Sequence, residues 1–115
     1  MIAVIFELLP RPGCRQAYLD AASSLSPQLE QVDGFISIER FESLSQPGKL
    51  LSLSFWRDEA AVSQWRNHPP HRAAQAAGRR SILDDYRLRV ARLMRDYSLS
   101  ERAEAPVDAP DWPSI

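Results

Sequence analysis

The apolar positions along this chain predict strands and helices in alternation. Residues 2–9 are an apolar run rich in β-forming side chains that stops at Pro10, which predicts a strand followed by a turn. Both faces of this strand are apolar apart from Glu7, so we expect it to be covered on two sides. Residues 14–32 change to helical spacing, and we expect Ser26-Pro27 to interrupt that helix.

A hairpin is predicted next along the chain. Residues 35–43 alternate between two faces, and residues 50–56 are a second short strand. Between them, residues 46–49 have the sequence Gln-Pro-Gly-Lys, with proline and glycine at the second and third positions that a type II turn prefers. The pattern therefore indicates two antiparallel strands joined by this turn.

The second half of the chain predicts a broken helix and a last strand. Asp58 is suited to cap a short helix that runs through Trp65. The sequence His68-Pro69-Pro70 ends that helix, and residues 71–80 are predicted to form a second helical piece. Residues 85–97 fit both a strand and a helix, and we predict a strand because three strands in this order need a fourth.

The order β-α-β-β-α-β is typical of a ferredoxin-like α+β fold, with two helices on one face of an antiparallel sheet. The other face would be exposed to water in a monomer, and the first strand is too apolar for that. We therefore expect a homodimer in which two sheets face each other. This domain is predicted to span residues 1–97. Residues 98–115 are rich in proline and acidic residues, which predicts a tail that is mobile or docked on the partner subunit, in the second case through Trp112.

Composition and charge exclude several classes of protein. The chain has 115 residues, of which 44% are hydrophobic and 25% charged, unlike a collagen, a disordered chain or a disulfide scaffold. A formal net charge of −1 gives no general attraction to nucleic acid or to a membrane. The single Cys14 cannot form a disulfide within the chain, and the first residues lack the pattern of a secretory signal. These features predict a cytoplasmic protein without nucleic-acid or membrane partners.

Several segments together resemble the antibiotic biosynthesis monooxygenase (ABM) domain family. They are residues 33–37 (Asp-Gly-Phe-Ile-Ser), 51–56 (Leu-Ser-Leu-Ser-Phe-Trp), 58–61 (Asp-Glu-Ala-Ala), 65–67 (Trp-Arg-Asn), His71, Arg72, Gln75, Gly78, Arg79 and 85–90 (Asp-Tyr-Arg-Leu-Arg-Val). The resemblance covers about residues 1–97 and implies a dimeric α/β barrel with a pocket between the sheet and the helices of each subunit. The family includes cofactor-independent oxygenases of polycyclic phenols, haem-degrading enzymes and members without known activity, so the fold alone does not define a function.

The resemblance also implies roles for particular residues. Trp65 would line the pocket, and His71, at a position where the phenol-oxidising members carry a tyrosine, would transfer a proton. Independently of the resemblance, Glu7 is the single charge in an apolar strand and would be a second catalytic group if it shares the pocket. Gln75, Phe35 and Arg72 are predicted to contact the substrate, and the alternative for Arg72 is a solvated position on the helix. A structural alternative for Glu7 is an ion pair with Arg40, Arg87 or Arg89. His68 is expected to be solvated.

Three functions remain open from the sequence. The first is a cofactor-independent monooxygenase that uses O₂ to oxidise a small aromatic or quinol-like compound. The second is a small-ligand-binding dimer without catalysis. The third is haem binding or degradation, against which the resemblance counts, because the expected axial histidine is Gln75 here and an expected asparagine is Glu7. His68 and His71 alone do not complete a metal site, so no metal is predicted.

Overall fold

Two helices pack on one face of a four-stranded antiparallel sheet in the computed structural model, which describes residues 1–68 and 81–108. In chain order the elements are β1 (Ile2–Pro10), α1 (Arg15–Glu30), β2 (Phe35–Glu42), β3 (Leu50–Trp56), α2 (Glu59–Arg66) and β4 (Leu83–Arg92). The strands lie side by side in the order β2-β3-β1-β4. This is the predicted ferredoxin-like α+β fold, and the prediction is confirmed.

Alternation along the strands gives the sheet two different faces. Val4 of β1 lies opposite Ser54 of β3 and Val90 of β4, and these side chains point toward the helices. We call this side the helix face. Glu7 of β1 lies opposite Leu51 of β3, and the side chains in that row point the other way, on what we call the open face.

The core lies between the helix face and the two helices. Its buried members come from β1, α1, β3 and α2: Ile2, Leu29, Trp56, Ala61 and Trp65. Since the buried residues of both described helices belong to this one cluster, neither helix covers the open face.

The predicted hairpin turn and helix cap are both present. The backbone N–H of Lys49 donates to the carbonyl of Gln46 at 3.2 Å, and Gly48 has a φ of +85°, as the third position of a type II turn requires. At the start of α2, the Asp58 carboxylate accepts the backbone N–H of Ala61 at 2.9 Å. Local sequence therefore determines both features.

Helix α1 continues through the predicted break. Pro27 lies inside the helix, near its C-terminal end, although a proline there removes one backbone hydrogen bond. The helix continues because Leu29, two residues later, is only 4% exposed in the core. Packing of this last turn outweighs the local preference of proline to end a helix.

Strand β4 confirms the strand prediction for the ambiguous segment, but it is shorter than predicted. It ends at Arg92, which pairs with Ile2, the first residue of β1. Beyond it, the described part of the tail makes local bonds: the N–H of Ser98 donates to the carbonyl of Glu101 at 2.8 Å. The predicted helical piece over residues 71–80 and Trp112 lie outside the described residues.

Candidate functional site

A cavity of about 300 Å³ lies between the helix face of the sheet and helices α1 and α2. Its walls are mostly apolar. The sheet contributes Val4, Phe6, Ile38, Arg40, Ser52, Ser54, Trp56, Leu83, Tyr86, Leu88 and Val90, and the helices contribute Tyr18, Ala21, Ala22, Leu25, Leu29, Val62, Trp65 and Arg66. An apolar cavity of this size with a few polar groups is typical of a site for a small organic molecule.

Side chains of the edge strand β4 that line the cavity are also exposed to solvent. Tyr86, Leu88 and Val90 point to the helix face, yet each is between 45% and 47% exposed. The ring of Tyr86 meets that of Phe6 edge to face, with centroids 5.8 Å apart. These side chains form an aromatic and aliphatic section of the cavity wall that reaches solvent.

Helix α2 positions Trp65 on the cavity wall. The Asp58 cap begins the helix, and Trp65 lies almost two turns later, on the same side as the buried Ala61. Only 9% of Trp65 is exposed. Trp65 therefore packs in the core and also forms part of the cavity wall.

His68 packs against Trp65, contrary to the expectation that it is solvated. The two rings stack with centroids 5.4 Å apart and an angle of 20° between their planes. His68 is half-buried, and its Nδ1 has no hydrogen-bond partner among residues 1–68 and 81–108. The spacing of three residues from Trp65 was the available signal, because it places both on one side of a helical turn.

The polar part of the cavity wall comes from β2 and β3. Ser52 and Ser54 are buried on the helix face, and the Ser54 hydroxyl accepts the indole N–H of Trp56 at 2.9 Å. Arg40 of β2 is the pairing partner of Ser52 and lines the same cavity. Sequence analysis missed Arg40 as a site residue, although the alternation of β2 already placed it on the face of Ile38.

The structure places Glu7 away from the cavity, which corrects its predicted place in the pocket. Strand alternation turns Glu7 to the open face, where its carboxylate lies 3.2 Å from the Arg89 guanidinium and 3.5 Å from the Lys49 ammonium. The hydrogen bond from Arg89 is the main cause that lowers the pKa of Glu7, with the charge of Lys49 adding to it. A carboxylate that is held ionised in this way is a weak base. The structural alternative, with Arg89 as the partner, describes this residue.

Phe35 also lies away from the cavity wall. It is partly buried against the core, and its ring meets that of Trp56 edge to face at 5.2 Å. The register of β2 shifts between Phe35 and Ser37, so Phe35 does not continue the row of Ile38 and Arg40. The other three predicted site residues, His71, Arg72 and Gln75, lie outside the described residues.

Neither a metal-binding cluster nor a membrane-spanning helix occurs in the described part of the chain. Within residues 1–68 and 81–108, no three His, Cys, Asp or Glu side chains are grouped so that they could hold a metal ion. No helix there has the length and apolar character needed to cross a bilayer.

The fold and the cavity together define a ferredoxin-like α+β domain that encloses space for a small molecule. Residues 1–77 match the sequence model of a family described as antibiotic biosynthesis monooxygenase. The chain belongs to this family, and the resemblance found in its sequence is confirmed.

Relatives of known sequence and structure agree with this assignment. The chain is 50% identical over 93 residues to a protein of Pyricularia oryzae named jasmonate monooxygenase ABM, a match covering 81% of this chain and 43% of that protein. It therefore spans less than half the length of that relative. The chain is also 31% identical over 99 residues to the protein YqjZ of Bacillus subtilis, covering 86% of this chain and 84% of YqjZ. The structure of Rv0793 from Mycobacterium tuberculosis has the same fold, with a TM-score of 0.74 at 23% identity over 84% of this chain and 98% of Rv0793.

Proposed function

We propose that this protein is a monooxygenase that oxidises a small, mostly apolar organic compound in the cavity beneath α1 and α2. The observation that carries the proposal is the apolar cavity of about 300 Å³ with Trp65 on its wall, in a chain of the ABM family. An apolar chamber excludes water from a reactive, oxygen-sensitive substrate anion, which protects such an intermediate from side reactions.

The substrate class that the cavity suits best is aromatic or quinol-like. Phe6, Tyr86 and Trp65 offer aromatic faces and edges along the wall, and aromatic rings pack well on such surfaces. A compound of this class can supply the electrons itself. Loss of a proton gives an electron-rich anion that reacts with O₂, and a CH₂ group becomes C=O while the second oxygen atom leaves as water. We propose that this reaction runs without an added cofactor.

Proton transfer is assigned to His71, on the strength of the family resemblance in sequence. An imidazole accepts and returns a proton near neutral pH, which this step requires. Gln75 and Arg72 are proposed to contact the substrate on the same basis. Glu7 has no part in this mechanism, because the sheet separates its carboxylate from the cavity.

The open face of the sheet supports the proposal of a homodimer. Ile5, Leu51, Leu53 and Phe55 point to that face and are only partly buried, and neither described helix covers them. Burial of such apolar surface is favourable by about 25 cal/mol per Å². A second copy of the same face is its simplest cover, and the ion pairs of Glu7 with Lys49 and Arg89 would lie within the contact.

The proposal is tested by measuring O₂ uptake by the purified protein in the presence of a chelator. The panel contains hydroquinones, anthrones and jasmonic acid, the last because of the name of the Pyricularia relative. We expect O₂ uptake with at least one compound and a fall of about 100-fold or more in the His71→Ala variant, the range of general acid–base catalysis. The His68→Ala variant is the comparison, since His68 stacks on Trp65 without lining the cavity.

Each other outcome has a defined meaning. Full activity of His71→Ala would remove histidine from the proton-transfer role while leaving the reaction in place. Saturable binding of panel compounds without any O₂ uptake would identify a ligand-binding protein and refute the monooxygenase. A sharp Soret shift at one equivalent of haemin would favour the haem alternative instead.

A further inference from the structure

One cation on the cavity wall, Arg40, has no anionic partner within the part of the chain that the structure describes. Arg40 is partly buried, and its Nε is shielded from solvent without a hydrogen-bond acceptor among residues 1–68 and 81–108. Some of the other arginines are ion-paired: the guanidinium of Arg57 lies 3.1 Å from the Asp33 carboxylate, and that of Arg89 lies 3.2 Å from Glu7. A buried donor without a partner is unfavourable, so its presence calls for an explanation.

The described part of the cavity wall offers no negative charge to compensate Arg40. The described wall includes two arginines, Arg40 and Arg66, and no aspartate or glutamate. Arg66 is exposed at the surface, where its Nη2 donates to the Ser63 hydroxyl at 3.4 Å. Within the described wall, Arg40 is therefore a partly buried positive charge in mostly apolar surroundings.

We propose that Arg40 binds the carboxylate of the substrate, so that the natural substrate is a small apolar molecule with one acidic group. That the bound acid is a substrate rests on the proposed function, whereas the binding of the acid by Arg40 does not. A guanidinium is always charged, and its planar donors match the two oxygens of a carboxylate. A carboxylate is already ionised at neutral pH, whereas a phenol is not, so it can neutralise Arg40 without a further proton transfer.

The neighbours of Arg40 fit this role. Ser52 is its pairing partner on β3, is 8% exposed and faces the same cavity, so its hydroxyl is the adjacent donor for an acidic oxygen. Ile38, two residues before Arg40 on β2, adds an apolar side chain to the same wall. One end of the ligand would meet donors and the rest would meet apolar and aromatic side chains, which fixes the orientation of the ligand.

The test measures binding under anaerobic conditions, with naphthaleneacetic acid and its primary amide as a pair of probes of equal shape. Titrations are followed by tryptophan fluorescence and checked by calorimetry, since Trp56 and Trp65 both line the cavity. We expect the acid to bind about 10- to 100-fold more tightly than the amide, the range for hydrogen bonds to charged groups. That preference should disappear in Arg40→Gln, return in part in Arg40→Lys and persist in Arg95→Gln, which changes an exposed arginine beyond the sheet.

A stability measurement separates binding from a purely structural role. If Arg40 serves the ligand, the ligand-free Arg40→Met variant should melt at or above the Tm of the unchanged chain, because a shielded donor without a partner has been removed. A clear fall in Tm, with the acid-over-amide preference intact, would assign Arg40 to the fold and overturn the proposal.

The remaining outcomes also decide the matter. Equal binding of acid and amide, a preference that survives Arg40→Gln, or no saturable binding of either probe would each overturn the proposal. The protein could instead bind naphthol more tightly than its methyl ether in an Arg40-dependent way, while binding the acid and the amide equally. That result would overturn the assignment of a carboxylate ligand in favour of an ionisable hydroxyl. An Arg40-dependent acid preference in a protein that consumes no O₂ would uphold this inference and refute only the monooxygenase.

Discussion

At the scale of single residues, Trp65 contributes both to the stability of the domain and to the wall of its cavity. Its indole is 9% exposed, packs in the central cluster and forms part of the cavity wall. We expect Trp65→Ala to lower the free energy of unfolding by about 3–5 kcal/mol, the range for truncating a buried aromatic residue. Chemical denaturation measures this loss. Trp65→Phe is the control and should lose much less, so equal losses in the two variants would contradict the packing described here.

Asp58 provides a prediction on pH. The backbone N–H of Ala61 is the main cause that lowers the pKa of Asp58 below its ordinary value of 3.8, with Arg57 also contributing. A carboxyl whose pKa is lower in the folded state stabilises the fold above its unfolded pKa, and this stabilisation is lost as the pH falls through the folded pKa. The Tm of the unchanged chain should therefore fall more steeply below about pH 4 than that of Asp58→Asn.

Asp58→Asn is a suitable comparison because asparagine still accepts a hydrogen bond at a helix N-cap but does not titrate. The effect should shrink at high salt, since the side chain of Asp58 is 47% exposed. Parallel Tm curves for the two proteins across the acid range would show that the cap charge contributes nothing.

At the scale of elements, the approach of α2 to the start of β2 depends on Gly34. Gly34 has a φ of +94°, and a Cβ added there would lie 2.7 Å from the Cβ of Ala61. Gly13 is a matched control, with a φ of +80° and open space around it. Both alanine variants should lose the free energy that an L-residue loses at positive φ, about 1–2 kcal/mol.

Only Gly34→Ala should lose a further 1–3 kcal/mol or so through overpacking against α2. Urea denaturation of the two variants side by side measures the difference. Equal losses at Gly13 and Gly34 would mean that α2 can move aside and that its position, with Trp65, is not fixed by this contact.

The elements could be predicted from the sequence where local chemistry decides them. The Pro47-Gly48 turn and the Asp58 cap depend on neighbouring residues only, and both are present. Pro27 shows where this fails, because burial of Leu29 comes from the rest of the fold and keeps the helix intact. A local pattern carries no information about that packing.

The candidate site could be predicted only in part, for a related reason. Trp65 was found because its segment resembles the family. Alternation showed that Glu7 and Phe6 lie on opposite faces of β1, but with both faces apolar it did not show which one the helices cover. Glu7 was therefore assigned to the wrong side, and Arg40 was considered as its ion-pair partner rather than as a cavity residue.

At the scale of the whole molecule, the open face predicts self-association. Phe55, the second-last residue of β3, lies on this face opposite Ala3 of β1 and is partly buried. We expect the unchanged chain to sediment as a dimer and Phe55→Glu to sediment as a folded monomer, because a buried, unpaired carboxylate is strongly unfavourable in an apolar contact. Ser23→Glu, which adds the same charge on the exposed surface of helix α1, is the control and should remain dimeric. A monomeric unchanged chain would refute the dimer.

The proposed function requires that one oxygen atom of O₂ be transferred to a small organic substrate. Mass spectrometry of the product formed under isotopically heavy O₂, with a parallel reaction in heavy water to correct for exchange, tests this most directly. We predict one heavy oxygen atom in the product and the other in water, with the rate reduced in Trp65→Ala. A product that takes its oxygen only from water, or that contains both atoms of O₂, would contradict the claim.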